Sequence, residues 1–337
     1  MAAPEHNRAI LVVGAGRSGT SALTRGLAAL GVELGDHLKP ATAKNPTGFF
    51  EDEDLLRIGK QARSCLGLRP ESVALIEDEA WAHPDLETLC REAARTIEER
   101  FGRAPVWCFK YAQTLRMLPF WQRVLERAGV DASWVMASRN PVSVARSRSK
   151  LDRLRGIQEK SDAEWLVAVV PYFRRLTGQP LVVVDFDLLM ENPSGQLERV
   201  AARLDLGLDE AARAGMKAFS EAFLVGGMRH TVFGNSDLEK AGVNPLTRDA
   251  YRWLRKLAED EIAPNDPRLE EDWARIEREL AVQAPVLRYV DQVVAELRLA
   301  EKRGVRGLRV RLQQRLKRVR WVAAAYGALK LRAARRN

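Results

Sequence analysis

The sequence has little with which to staple a fold or hold a metal. Cys65, Cys90 and Cys108 are the only cysteines in 337 residues. An odd, widely spaced trio excludes a disulfide scaffold and the CxxC spacing of a zinc site, which makes a reducing compartment the expectation. With no clustered His or Cys ligands, no metal is expected. Long apolar runs are also missing: none approaches the roughly 18 residues of a membrane span. The start, MAAPEHNRAILVV, turns apolar late and meets Gly14 soon after, without the h-region and cleavage site of a signal peptide. A cytoplasmic protein is the reading that follows.

What is present is ordinary in composition and uneven in charge. With 46% hydrophobic, 29% charged and 7% aromatic residues, the chain lies in the globular range. Lys and Arg number 54 against 45 Asp and Glu, yet residues 302–337 hold 13 of the basic residues and no acid, which leaves residues 1–301 with 41 basic and 45 acidic side chains. A mildly acidic body thus carries a strongly basic tail. At about 150 residues per domain, the length fits two domains or one α/β core with helical additions.

Four apolar runs, Ala9-Ile10-Leu11-Val12-Val13, Val106-Trp107-Cys108-Phe109, Trp134-Val135-Met136-Ala137 and Leu181-Val182-Val183-Val184, show no polar alternation. Such runs read as strands buried on both faces. Helical patterns at residues 21–30, 85–101, 115–128 and 163–176 separate them, so the expected fold class is α/β, a parallel sheet covered by helices. The expected organisation is an α/β domain over 1–235, a helical cap or extension over 236–301 and a basic amphipathic tail over 302–337.

The first run leads into Gly14-Ala15-Gly16-Arg17-Ser18-Gly19-Thr20-Ser21 and then a helix. Glycines here let successive N–H groups and a helix N-terminus face one anion. The GxGxxG spacing also suits a dinucleotide-binding oxidoreductase, but residues 31–38 offer no second strand for the ribose-binding acid. The Walker loop of a nucleotide kinase would need Lys where Thr20 stands. In its place a cation, Arg17, lies beside the hydroxyls of Ser18, Thr20 and Ser21, able to fork onto two oxygens of an anion.

Gly16-Arg17-Ser18-Gly19-Thr20-Ser21 resembles the 5′-phosphosulfate loop of sulfotransferases that use 3′-phosphoadenosine 5′-phosphosulfate (PAPS). Ser138-Arg139-Asn140-Pro141-Val142-Ser143-Val144-Ala145-Arg146-Ser147 resembles that family's 3′-phosphate motif: Pro141 can open a helix from which Ser147 projects while Arg139 waits at the strand end. Arg146 and Arg148, unlike Arg139 and Ser147, read as a solvated helix face. Asn45-Pro46-Thr47-Gly48-Phe49-Phe50-Glu51 is similar to a segment of bacterial members, and Phe186-Asp187-Leu188-Leu189 to a Tyr-acid-x-Leu strand end, with Phe186 in the tyrosine's place. After the second strand the family's Lys-Asp-Pro-Arg is matched only by Lys110. The resemblance spans roughly residues 9–235, the size of one α/β domain. It implies a P-loop-like sulfotransferase fold, PAPS as sulfuryl donor, and donor binding by Gly16, Arg17, Ser18, Gly19, Thr20, Ser21, Arg139 and Ser147.

Sulfuryl transfer is mainly positioning and charge stabilisation, with the acceptor oxygen in line with the leaving phosphate. Arg17 and Lys110 are the expected stabilising cations, and Glu51 the expected base among the consecutive Glu51-Asp52-Glu53-Asp54. His37 is the alternative, since its ordinary pKa suits the task. Arg229-His230 is a candidate for closing over the nucleotide. By analogy with bacterial relatives, the acceptor is expected to be a hydroxyl of a glycan, a lipid-linked glycan or another cell-surface molecule, with a tyrosine-bearing protein as the alternative. In the tail Val305, Leu308, Leu312, Leu316, Val319, Val322, Tyr326 and Leu329 recur at three- and four-residue steps among arginines and lysines. That pattern suits peripheral contact with the anionic inner face of a membrane, or packing on the body or on a second subunit. No specific nucleic-acid partner is expected.

Overall fold

The computed structural model describes residues 7–41, 48–223, 233 and 235–302. Asn45, Pro46 and Thr47, the Arg229-His230 pair and the basic stretch beyond Lys302 lie outside the described residues. Strand β1 (Arg8–Gly14) is followed by α1 (Thr20–Ala29), α2 (Glu53–Cys65) and α3 (Pro84–Phe101) before β2 (Val106–Lys110). Helix α4 (Leu118–Arg127) leads to β3 (Asp131–Ser138), and α5 (Pro141–Ser149) and α6 (Gln158–Phe173) to β4 (Leu181–Asp185). Then come α7 (Phe186–Glu191), α8 (Pro193–Arg203), α9 (Glu210–Ala218), α10 (Asn235–Lys240), α11 (Pro245–Ala258), α12 (Pro267–Val282) and α13 (Ala284–Lys302). One compact unit ends at Ala284 and a second begins at Pro285. No helix among the described residues is long and apolar enough to cross a membrane.

All four strands pair in parallel, in the order β2-β1-β3-β4. The expected α/β class and the covered parallel sheet are thus found. Because strand side chains alternate between faces, Ile10, Val12, Cys108, Val135, Ala137, Val182 and Val184 share one core with Leu23 and Leu27 of α1, Leu197 and Val200 of α8 and Met216 of α9. Aromatic contacts mark other packing: Trp107 stacks on Phe101 of α3 at 4.3 Å and Phe109 meets Trp121 of α4 at 4.6 Å. Both faces are covered, which is why the strands read as unbroken apolar runs. Helix α11 packs beside β4, where Tyr251 and Arg255 reach the buried Asp185.

The strand order has a functional consequence. Chain direction along the sheet reverses between β1 and β3, and at such a switch point the loops leaving the two strands diverge and open a crevice at their carboxyl ends. Those loops are residues 15–19 and 139–140. Register places Gly14 beside Ala137, Ser138 beside Asp185 and Lys110 beside Val12, so the resemblance motifs all emerge at one end of the sheet.

Candidate active site

The first loop needs its glycines for separate reasons. Gly14 has φ +140°, and a Cβ there would stand 2.5 Å from the Ala137 carbonyl oxygen. Gly19 has φ +96°, and its Cβ would stand 2.3 Å from the ring of Phe186. At Gly16 a Cβ would meet nothing within 4 Å, so this part of the backbone faces open space that an anion can approach. Arg17 adopts φ 78°, left-handed backbone that costs an ordinary residue of order 1 kcal/mol or more and clusters at functional sites.

The second loop supplies what holds the first. Asn140 caps α5 by accepting from the Val142 N–H at 3.0 Å, and that capped helix presents Ser147, whose Oγ accepts from Arg17 Nε at 2.9 Å. Arg139 Nη1 donates to the Arg17 carbonyl at 3.3 Å, and its guanidinium lies over the Phe186 ring at 4.3 Å. The structure therefore brings Arg17, Arg139 and Ser147 together across more than a hundred residues of sequence. Burial lowers the pKa of Arg17 and of Arg139, with Asp187 and Asp185 opposing the shift at Arg139.

Arg148 corrects the sequence reading. It is 4% exposed rather than solvated, and its Nη2 donates to the Gly16 carbonyl at 3.3 Å. Its Nη1 donates to the Ser161 carbonyl at 2.6 Å and lies 3.6 Å from Glu164, whose two carboxylate oxygens accept from Nε and Nη2 of Arg155. Burial pushes the Arg148 pKa down to about 10. Helical spacing alone put Arg148 on a polar face; α6, arriving later in the chain, covers it. Arg146 is exposed as expected.

The corner at the end of β2 separates the four consecutive acids. Asp52 is the N-cap of α2, accepting from the Asp54 and Leu55 N–H groups and pairing with Arg100 at 2.6 Å. Glu53 and Asp54 flank His37 at 3.2 and 3.0 Å, and the hydrogen bond to Asp54 raises the pKa of that exposed imidazole. Glu51 faces elsewhere. Buried at 5% exposure, it accepts at Oε1 from Lys110 Nζ at 3.0 Å, while Oε2 lies 3.8 Å from Lys39. Lys110 also donates to Ser21 Oγ at 3.2 Å, at the start of α1, so one ammonium links Glu51 to the glycine loop. Desolvation draws its pKa below the usual lysine value against the opposing pull of Glu51. Lys39, which also lies over the Phe49 ring at 3.9 Å, carried no sequence motif and was not foreseen.

The residues suit a multiply anionic ligand. Ser18 Oγ, Ser138 Oγ and Arg139 Nε are buried and make no hydrogen bond within the described structure, a costly state for polar groups that a ligand can relieve. Two alternative uses of the glycine loop lose ground: residues 31–38 contribute only two isolated bridges, Glu33 to Trp107 and Leu38 to Asp52, where a dinucleotide fold needs a strand, and Thr20 opens α1 where a kinase needs Lys. Among the described residues no group of three His, Cys, Asp or Glu gathers as a metal site.

A model of the sulfotransferase family matches residues 9–210, from β1 to the start of α9. The chain belongs to the sulfotransferase family. No curated protein matches it. Solved structures similar to it include the sulfotransferase STF1 of Mycobacterium tuberculosis, 17% identical, covering 74% of this chain and 76% of that one with a TM-score of 0.39. The sulfotransferase domain of the Synechococcus PCC 7002 olefin synthase is also 17% identical, with 83% and 98% covered and a TM-score of 0.39. The sulfotransferase STF9 of Mycobacterium avium is 14% identical, with 77% and 78% covered and a TM-score of 0.40.

Proposed function

We propose that the protein transfers a sulfuryl group from PAPS to a hydroxyl of a glycan or other cell-surface acceptor. The observation that carries this reading is the convergence of two anion loops, with Arg17 bonded to Ser147 and its carbonyl held by Arg139. PAPS supplies an activated sulfuryl group and leaves as adenosine 3′,5′-bisphosphate. Gly16, Ser18, Gly19, Thr20 and Ser21 would receive the 5′ end through loop amides and hydroxyls, with Arg17 as the charged fork. Arg139 and Ser147 would receive the 3′-phosphate.

On the acceptor side Glu51 is the base. Its Oε1 is engaged by Lys110, so Oε2 is the oxygen that takes the acceptor proton. Lys110, between Glu51 and Ser21, is placed to neutralise charge growing on the donor's bridging oxygen, and turning toward it would release Glu51 to act. No metal is needed in this scheme, because three cations supply the positive charge. Phe49, two residues before Glu51, offers an apolar face suited to packing under a sugar ring. The basic stretch over 302–337 would keep the enzyme at the anionic inner face of a membrane, near a lipid-linked acceptor.

Incubation with PAPS labelled in its sulfuryl group and a panel of glycans, glycolipids and peptides tests the reading. Label is expected in a glycan or glycolipid. Label only in peptides would move the acceptor class, and no transfer together with no binding of adenosine 3′,5′-bisphosphate would overturn the donor.

A further inference from the structure

Phe186 opens α7 directly after β4 and is 5% exposed. One side of its ring closes on the backbone of the first loop, so tightly that Gly19 has no room for a Cβ. Its ring also carries the Arg139 guanidinium at 4.3 Å. Otherwise Arg139 is drawn by the nearby charges of Asp187 and Asp185. Among the described residues it makes one hydrogen bond, at 3.3 Å to the Arg17 carbonyl, and its buried Nε makes none.

We propose that Phe186 is a positioning residue that sets the preference for a 3′-phosphorylated nucleotide, by wedging between Gly19 and Arg139. The inference rests on the donor reading above. A guanidinium stacked on an aromatic face is attracted through its π surface while all of its N–H donors lie in its own plane and point outward. A guanidinium held over the ring in this way is positioned without consuming the donors a phosphate needs. A ring that touches both Gly19 and Arg139 also sets the distance between the two anion loops. A hydroxyl is not required for either task, which accounts for phenylalanine serving where the resemblance has tyrosine.

Isothermal titration of the full-length protein with adenosine 3′,5′-bisphosphate and with adenosine 5′-monophosphate separates the possibilities. In Phe186→Leu and in Phe186→Met, bisphosphate affinity is expected to fall roughly 3- to 30-fold, the range of a partly desolvated cation–π contact. Monophosphate affinity should stay within about 2-fold, and Phe186→Tyr should keep both. Equal weakening of both nucleotides in the Leu and Met variants would make the ring mere packing and overturn the proposal, as would no weakening of either. A wild-type protein that binds the two nucleotides alike would instead overturn the donor reading, a result distinct from failure of the wedge.

Discussion

The two halves of the site are built by different means. On the proposed donor side, loops at the ends of β1 and β3 interlock, and side chains of the second loop and of α5 hold backbone carbonyls of the first: Arg139 that of Arg17, Arg148 that of Gly16. On the proposed acceptor side a buried ion pair, Glu51 with Lys110, joins residues 59 positions apart. A site made of backbone shape spreads its sensitivity over many residues and over binding as well as turnover. One made of two opposed charges concentrates it, and should show it mainly in turnover.

Glu51→Gln is the sharpest test of that contrast. Turnover is expected to fall about 10²- to 10⁴-fold, the contribution of a placed general base, while affinity for adenosine 3′,5′-bisphosphate stays within about 2-fold. Steady-state kinetics beside titration calorimetry reads both. Unchanged turnover would transfer the proton to His37 or another group and dissolve the comparison. Arg17→Ala comes next. Loss of a charge-stabilising donor costs about 10²- to 10³-fold in kcat, and here nucleotide affinity should fall too. Normal binding in this variant would mean that Arg17 belongs with the acceptor half. Arg17→Lys should restore charge but not the bond from Nε to Ser147.

What the sequence made legible follows the same division. The four strands could be read because burial on both faces leaves unbroken apolar runs, and the turn from β1 into α1 because strand, glycines and helix start are contiguous. The acceptor half was less accessible. Four consecutive acids are indistinguishable locally; Asp52 is taken by the cap of α2 and Arg100, Glu53 and Asp54 by His37, and only Glu51 turns toward Lys110. Those assignments depend on α3 and β2, which no spacing around residue 51 encodes. Arg148 was misread for a related reason, since a helix-face pattern does not say which other helix will cover it. Lys39 and the contacts of Phe186 are likewise set by packing between distant segments.

Arg148→Met probes whether support beneath the donor loop is structural as well as functional. Removing one member of a buried charge network typically costs about 3–5 kcal/mol, softened here because Arg155 and Lys160 remain beside Glu164. Urea unfolding should show a loss of about 3 kcal/mol, with a raised KM for the donor. Arg146→Met, on the exposed face of the same helix, should shift stability by less than about 1 kcal/mol. Equal losses in the two variants would remove the distinction between them and return Arg148 to the solvated face.

A further effect concerns pH and the contact of α11 with the end of β4. Burial pushes the Asp185 carboxyl up to about 6, against the pull of Arg255, and Asp185 also accepts from Tyr251. In the unfolded chain an aspartate releases its proton near its ordinary value of about 3.9. Between these values the native protein holds a proton that the unfolded chain has lost, so this contribution to stability is complete at the acid end and disappears as pH rises through about 6. The upper bound is about 3 kcal/mol. Asp185→Asn, which cannot titrate, should therefore gain on the wild type between about pH 4.5 and 7 when both are unfolded in urea. A constant difference across that range would mean that Asp185 stays ionised throughout, held by Arg255, and that the donor half rests on a permanent ion pair at the end of β4.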